Sequence, residues 1–210
     1  MTKYIKQINI QKNIIYNNIL LLSRNKLFYT KFHLNDTFQN RIHLIFIHIS
    51  FIFIKIKQND NYQLYKIFSQ NIFDLIFSNI ELNMREIGFG ETTINKNMKN
   101  LVKSFYNILL KCETYKKMNT DAKNKLFDNY LEISNINNIT NYRGIIDYFN
   151  KYEAFCFDLA PDSVLKGELK FKSPFNTLSG LKSKQKASYL LKYSINSGSI
   201  VLLFLLFCSK

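Results

Sequence analysis

The chain has 210 residues, enough for one domain with a sizeable core, and its 47% hydrophobic and 15% aromatic content is too high for a disordered protein. Only 6 Gly and 2 Pro interrupt it, which favours long helices over a loop-rich β fold. The formal net charge of +14 attracts anions such as RNA, a ribosome surface or an acidic membrane. Most of this charge comes from Lys, and an AT-rich codon bias that produces a solvated lysine surface explains it better than a specific nucleic-acid site.

Helical periodicity organises the first part of the chain. Residues 1–22 carry spaced aliphatic residues among Lys, Gln and Asn, which predicts an amphipathic helix. Asp36 and Thr37 are both candidate N-caps for the next helix, and Gln39 stands three residues after Asp36 as in a capping box. The segment 38–57 alternates in places like a strand, but its length without a turn signal favours a central helix packed on both sides.

The next element is predicted from residues that recur every fourth position. A helix begins at Asn59 or Asp60 and places Leu64 and the apolar residues after it on one face. It runs to about Ile87. Gly88 then suits the left-handed position that ends helices.

The second half of the chain predicts further helices. One continuous apolar face indicates a helix over 95–117, with Asn95 as its N-cap. A shorter helix follows Thr120, and another covers 141–157. After Pro161 the pattern changes, and residues 168–172 are predicted as a short extended piece.

These elements predict an all-α fold. We expect a single-domain bundle of about six or seven helices with a short irregular C-terminal segment. The chain divides into an N-terminal amphipathic helix at 1–22, a helical domain at 23–175 and a C-terminal extension at 176–210. The extension contains a basic run at 182–186 and an apolar tail at 200–207.

No motif for catalysis or cofactor binding is found in the sequence. His43 and His48 are five residues apart, so a helix does not bring them to one face, and packed or surface histidines are a better interpretation than zinc ligands. Gly88-Phe89-Gly90 lacks the third glycine and the preceding strand of a dinucleotide fingerprint. We therefore expect no enzyme, no metal, no cofactor and no small-molecule substrate.

Cysteine and hydropathy patterns bear on the compartment. Cys112, Cys156 and Cys208 are widely spaced and odd in number, which favours buried thiols in a reducing compartment over disulfides. The apolar stretches 42–56 and 200–207 are each shorter than the roughly 20 apolar residues that a membrane span needs. Peripheral membrane contact stays open.

The segment from Arg85 to Thr93 is the most unusual local feature. Two opposite charges precede a glycine turn, and another acid and two hydroxyls follow it, between two strong helices. Arg85 and Glu91 are either a clamp on the interhelical turn or part of a recognition loop on a rigid scaffold. Physical reasoning leaves both interpretations open.

This segment resembles the ubiquinol–cytochrome c chaperone family, which carries Arg-Glu-x-Gly-x-Gly-Asp between two helices. The resemblance continues in order over about residues 20–175. It includes Arg24 with Phe28-Tyr29, Asp36-Thr37 with Arg41, Phe73-Asp74 with Phe77, Arg85-Glu86-Ile87-Gly88-Phe89-Gly90-Glu91, Lys96 with Met98-Lys99, Phe105-Tyr106, and Gly167-Glu168 with Phe171. Glu91 stands where the family usually has Asp, and Asn107-Ile108 replaces its usual Gly-Arg.

The resemblance implies an all-α assembly chaperone that binds newly synthesised cytochrome b and promotes assembly of ubiquinol–cytochrome c reductase. It implies a cytoplasmic location peripheral to the inner membrane, with a ribosome and an anionic inner-membrane surface as possible partners and no DNA. The expected client-binding residues surround the glycine turn: Arg85, Glu86, Gly88, Phe89, Gly90, Glu91, Lys96, Met98 and Lys99. The expected structural residues are Arg24, Tyr29, Asp36, Arg41 and Asp74.

Two alternatives are kept. A basic helical protein that binds RNA or the ribosome, unrelated to complex III, would lose affinity steeply with salt. A protein held on a membrane surface by its apolar C-terminus would lose membrane binding when residues 198–210 are deleted.

Overall fold

A computed structural model describes residues 2–58, 62–134, 142–160, 163–164, 167 and 171. The described chain is helical, and the predicted all-α class is confirmed. The helices are α1 (Thr2–Ser23), α2 (Leu27–Thr30), α3 (Phe38–Lys57), α4 (Tyr62–Glu86), α5 (Glu91–Glu113), α6 (Thr120–Asp128) and α7 (Arg143–Asp158), with a 3-10 turn at Tyr115–Lys117.

Helix α3 is the centre of the bundle, with α1, α4, α5 and α7 packed around it. Every residue from Asn40 to Ile54 is buried, which explains why its sequence has apolar residues on both sides of the helix. The strand-like alternation in this segment therefore arises because a helix that is buried on all sides has apolar residues at nearly every position. Thr37 is the N-cap, and its hydroxyl oxygen accepts a hydrogen bond from the Asn40 amide at 3.2 Å. Gln39 does not complete a capping box, because its side-chain amide bonds to the His43 ring at 3.0 Å instead.

Aromatic rings fill the core on two sides of α3. Between α3, α4 and α5, the Phe46 ring stacks on Phe77 with centroids 5.5 Å apart and meets Phe105 edge-on at 5.3 Å. On the side of α7, the rings of Phe28 and Tyr148 lie 4.8 Å apart and Tyr152 lies 4.8 Å from His48. Such edge-to-face pairs add stability beyond the area they bury. The core is thus packed with aromatic rings on both sides of α3.

The predicted start of the fifth helix is wrong. The sequence placed the helix at 95–117 with Asn95 as N-cap, but α5 begins at Glu91 with Gly90 as N-cap. Gly90 is extended, with φ −70° and ψ 151°, so the helix starts directly after the turn, and a carboxylate in the first turn is favoured by the helix dipole. Helix α5 also ends earlier, at Glu113, before the separate 3-10 turn.

Several predictions fall outside the described residues. They are the helix start at Asn59 or Asp60, most of the extended piece at 168–172, and the extension at 176–210 with its basic run and apolar tail. Phe171 is described, and its ring packs 5.1 Å from Tyr152 and 5.0 Å from Phe155. The division of the chain into three segments stays a prediction. In the parts that are described, no helix combines the length and the apolar character needed to cross a membrane.

Candidate functional site

The turn between α4 and α5 is built by two glycines with different tasks. Gly88 has φ +92°, the left-handed conformation predicted for it. Around it the Gly88 N–H donates to the Arg85 carbonyl at 3.0 Å and the Phe89 N–H donates to the Met84 carbonyl at 3.1 Å. This is a Schellman motif, which satisfies the last carbonyls of α4 and sends the chain straight into α5.

Arg85 bridges the two helices across this turn. Its Nη2 atom donates to Glu81 Oε1 at 2.7 Å, one helical turn earlier in α4, and its Nη1 atom donates to Glu91 at the start of α5. Each of these side chains is well exposed, so the pairs contribute only about 0–1 kcal/mol to stability. The pair of Arg85 and Glu91 connects the end of α4 to the first residue of α5 across the turn. The neighbouring Glu86 is half-buried, and its Oε2 atom has no hydrogen-bond partner among the described residues.

A half-open groove of about 400 Å³ lies beside this turn. Its walls are the first residues of α3, the end of α4, the turn itself and one face of α5. The lining residues are Thr37, Phe38, Gln39, Met84, Phe89, Asn97, Asn100, Leu101 and Ser104.

The lining of the groove is uncharged. Hydroxyl and amide groups come from five residues and apolar surface from the other four, and no lining side chain is ionisable near neutral pH. Such a surface can hydrogen-bond a main chain and accommodate neutral side chains, and it contains no carboxylate, histidine or lysine that could act as a general base.

The wall formed by α3 is fixed by several polar contacts. Asp36 accepts two hydrogen bonds from the Arg41 guanidinium, at 2.6 and 2.7 Å, and Arg41 is almost fully buried. The Arg41 guanidinium carbon lies 5.8 Å from the centre of the Tyr29 ring, and the Tyr29 hydroxyl donates to the Ser23 carbonyl at 3.2 Å. These contacts join the start of α3 to α2 and the end of α1. The structural roles predicted for these residues agree with this placement but stay predictions.

The predicted client-binding residues occupy three environments. Phe89 lines the groove and is 43% exposed. Met98 is half-buried and packs against the core, whereas Lys96 and Lys99 are exposed on α5. The remaining residues form the turn and its flanks: Arg85, Glu86, Gly88, Gly90 and Glu91. Asp74, predicted to be structural, is exposed on α4 and accepts a hydrogen bond from Gln70 at 2.7 Å.

Sequence reasoning missed most of the groove. On α5 a signal was present, because Asn97, Asn100, Leu101 and Ser104 are spaced by three, four and seven residues and share one helical face. At the start of α3 the sequence carried no such signal. Residues 37–39 lie near α5 only because of tertiary packing, which periodicity does not predict.

The buried histidine and cysteine side chains of the described core are packed and hydrogen-bonded rather than gathered at one point. The His48 ring donates through Nδ1 to the Leu44 carbonyl at 2.6 Å and accepts at Nε2 from the Tyr148 hydroxyl at 2.9 Å. Burial raises the pKa of the Cys156 thiol to about 12 and raises the pKa of Cys112 still further, so both thiols are protonated. Among the described residues, no group of three or more His, Cys, Asp or Glu could hold a metal ion. Cys208 lies outside the described residues.

An all-α bundle with an uncharged groove lined by hydroxyl, amide and apolar groups defines a candidate binding protein. The family model described as ubiquinol–cytochrome c chaperone matches residues 30–171, more than half of the chain. The protein belongs to the ubiquinol–cytochrome c chaperone family, as its sequence motifs indicated, and this is a family of chaperones rather than enzymes.

A solved structure of similar fold is the crystal structure of the Cbp3 homolog from Brucella abortus. The two structures align with a TM-score of 0.68 over 81% of this chain and 93% of that chain, at 18% sequence identity. At this identity the likeness is one of fold. No curated protein sequence matches the chain.

Proposed function

We propose that this protein is an assembly chaperone that binds newly synthesised cytochrome b and promotes its assembly into ubiquinol–cytochrome c reductase. The observation that carries the proposal is the family match over residues 30–171, which includes every residue that lines the groove. The protein acts without a catalytic step and without a cofactor. It works in the cytoplasm against the inner membrane, where its client is inserted.

The groove beside Phe89 is the proposed contact for the client. Cytochrome b exposes apolar surface before it receives haem and partner subunits, and a chaperone has to cover such surface and then release it. A half-open groove of about 400 Å³ can accept a short segment without enclosing it. Its amide and hydroxyl groups satisfy the main chain of that segment, while Phe38 and Phe89 contact its side chains.

The charged turn is proposed to support the groove. Phe89 follows Gly88 directly, so the pairing of Arg85 with Glu91 fixes the residues from which Phe89 projects. Replacing Arg85 and Glu91 by Gln should weaken client capture while the helical circular-dichroism signal stays unchanged, because exposed ion pairs contribute little to stability. Unfolding of this variant would instead assign the pair a structural role alone.

The experiment that tests the function is co-purification of cytochrome b from a gently solubilised membrane-containing lysate. Phe89→Ser should reduce the recovered cytochrome b several-fold, because it removes the exposed ring from the groove. Leu82→Ser is the matched control, since Leu82 is 40% exposed on α4 and does not line the groove. Absence of cytochrome b with the unmodified protein would refute the function, and equal loss in both variants would refute the groove as its site.

The alternative function is binding of RNA or the ribosome, which the net charge of +14 favours. A ribosome near the site of client synthesis is also compatible with the chaperone. The two functions differ in their response to salt. Capture through the uncharged groove should persist at high salt, whereas RNA binding through many lysines should weaken steeply.

A further inference from the structure

One face of α5 points directly away from the core and contributes nothing to the groove. Residues 96, 99, 103, 106 and 110 are spaced by three and four residues, so they share one stripe about 21 Å long. All five are exposed: Lys96, Lys99, Lys103, Tyr106 and Leu110, here called the α5 outer face. The buried residues of the helix, among them Leu101 and Phe105, lie on the opposite side.

The α5 outer face combines unpaired positive charge with exposed apolar surface. In the described part of the structure, none of the three lysines forms an ion pair, and the sequence from Thr92 to Cys112 contains no Asp or Glu. Leu110 is 62% exposed and Tyr106 is 51% exposed. The Tyr106 ring is held in place by Phe73 of α4, with centroids 6.0 Å apart. Burial of this aliphatic and aromatic surface would be favourable, but the residues that the structure describes do not provide it.

We propose that the α5 outer face docks on an anionic lipid surface. The proposal deepens the proposed function by assigning the face that would hold the chaperone against the membrane of its client. Lysines attract anionic headgroups, and a tyrosine beside a leucine suits the boundary between headgroups and acyl chains. Three lysines and two apolar side chains on one rigid helix can reach a flat surface together.

Other occupants fit the face less well. A second copy of the same face would set three lysines against three lysines. The chain's own residues 172–210 contain six Lys and no Asp or Glu, so their charge does not complement the face either. RNA would make no use of Leu110, which cannot stack on a base, and the face has no arginine. An anionic membrane can bind the three lysines through its headgroups and also bury part of Tyr106 and Leu110.

The test is flotation of the full-length protein with phosphatidylcholine vesicles that contain or lack phosphatidylglycerol. Binding should require phosphatidylglycerol and weaken with salt. Exchange of Lys96, Lys99 and Lys103 for Gln should lower the affinity about 100-fold, because each lysine near such a surface contributes about fivefold. The matched control exchanges Lys116, Lys117 and Lys125, which are exposed outside α5, and should retain nearly full binding.

The apolar half is tested by Leu110→Ser against Leu21→Ser, since Leu21 is 69% exposed on α1. Only the first should weaken vesicle binding. Equal losses in face and control variants would overturn the proposal in favour of diffuse charge. Loss of vesicle binding on deletion of residues 198–210 would overturn the proposal in favour of the C-terminal segment. If the triple lysine variant lost binding to single-stranded RNA but kept binding to vesicles, the face would be assigned to RNA instead.

The same variants separate this inference from the proposed function. The Leu110→Ser variant should still co-purify with cytochrome b in detergent, because Leu110 does not line the groove and is not one of the expected client-binding residues. Phe89→Ser should still float with anionic vesicles. Failure of vesicle binding alone would leave the chaperone function standing, and failure of client capture alone would leave the membrane face standing.

Discussion

The side-chain amide of Asn40 forms two hydrogen bonds with the main chain of Glu132, although the two residues are 92 positions apart. Its Nδ2 atom donates to the Glu132 carbonyl at 2.9 Å, and its Oδ1 atom accepts from the Glu132 N–H at 2.9 Å. The second Nδ2 bond goes to the Asn35 carbonyl at 2.8 Å. Asn40 is fully buried, so it ties the first turn of α3 to the segment after α6 and fixes the residues of α3 that line the groove.

Replacement of Asn40 by Asp should therefore be costly. A carboxylate would face two carbonyl oxygens and could donate to neither, and its charge would be buried. We expect the free energy of unfolding, measured by urea denaturation, to fall by about 3 kcal/mol. Asn107→Asp makes the same chemical change at an exposed position of α5 and should change it by less than about 0.5 kcal/mol. Similar values for the two variants would contradict the role of Asn40.

The contrast between Asn40 and Gly88 shows what the sequence could predict. Gly88 follows a long helical pattern and needs only local geometry, so its left-handed conformation was predictable and is confirmed. The central helix at 38–57 was also predictable, although its alternation resembles a strand, because its length without a turn signal favours a helix. The bonds from Asn40 to Glu132 depend on how distant segments pack, and periodicity carries no such information. The groove could not be predicted from periodicity either, because residues of α3, α4 and α5 all contribute to it.

The two glycines of the turn should respond in opposite ways to the same substitution. Gly88→Ser places a side chain on a residue with φ +92° and should cost about 1 kcal/mol of unfolding free energy. Gly90→Ser leaves an allowed backbone, and a Cβ there meets no atom within 4 Å. Because serine caps helices slightly better than glycine, this variant should gain a few tenths of a kcal/mol, about 0.3.

Thermal unfolding of the two variants checks this prediction. The Gly88→Ser variant should melt below the wild type, and the Gly90→Ser variant should melt at or slightly above it. A similar loss in both would mean that the turn tolerates no side chain at either position. A gain at Gly88 would contradict the left-handed conformation.

Buried histidine should make the stability depend on pH. Burial lowers the pKa of His48 to about 4, and burial also lowers the pKa of His43, whereas an unfolded histidine titrates near about 6.5. As the pH falls from about 6.5 to about 4, the unfolded chain binds more protons than the folded chain, so stability is lost. The loss of stability from His48 amounts to about 3 kcal/mol between about pH 6.5 and about pH 4. Above about pH 6.5 His48 is neutral in both the folded and the unfolded chain, so it causes no loss there.

Urea denaturation between pH 7.5 and pH 4.5 measures this slope. His48→Gln should lower stability at neutral pH but flatten the slope, because the buried titrating group is gone. Tyr148→Phe is the control: it removes the hydroxyl that donates to His48 Nε2 but keeps the ring buried, so the slope should persist. An unchanged slope in His48→Gln would assign the pH dependence to other groups.

The close approach of Gly144 to Phe32 sets two physical effects against each other. A Cβ atom at Gly144 would lie 2.5 Å from Phe32 Cε1 and 2.6 Å from Cδ1, and the Phe32 ring is itself packed edge-on against Phe28, with centroids 5.8 Å apart. Helix propensity alone would make Gly144→Ala stabilising by less than about 1 kcal/mol, because Gly144 lies in the first turn of α7. The clash in a packed core costs about 1–3 kcal/mol, so the net change should be a loss.

A double-mutant cycle separates these contributions. In a Phe32→Leu background the clash is relieved, so Gly144→Ala should become neutral or stabilising there, with a coupling of about 1 kcal/mol or more. Stabilisation by Gly144→Ala in the wild type would mean that α7 does not approach Phe32 this closely. Packing against Phe32 would then not explain why position 144 is a glycine.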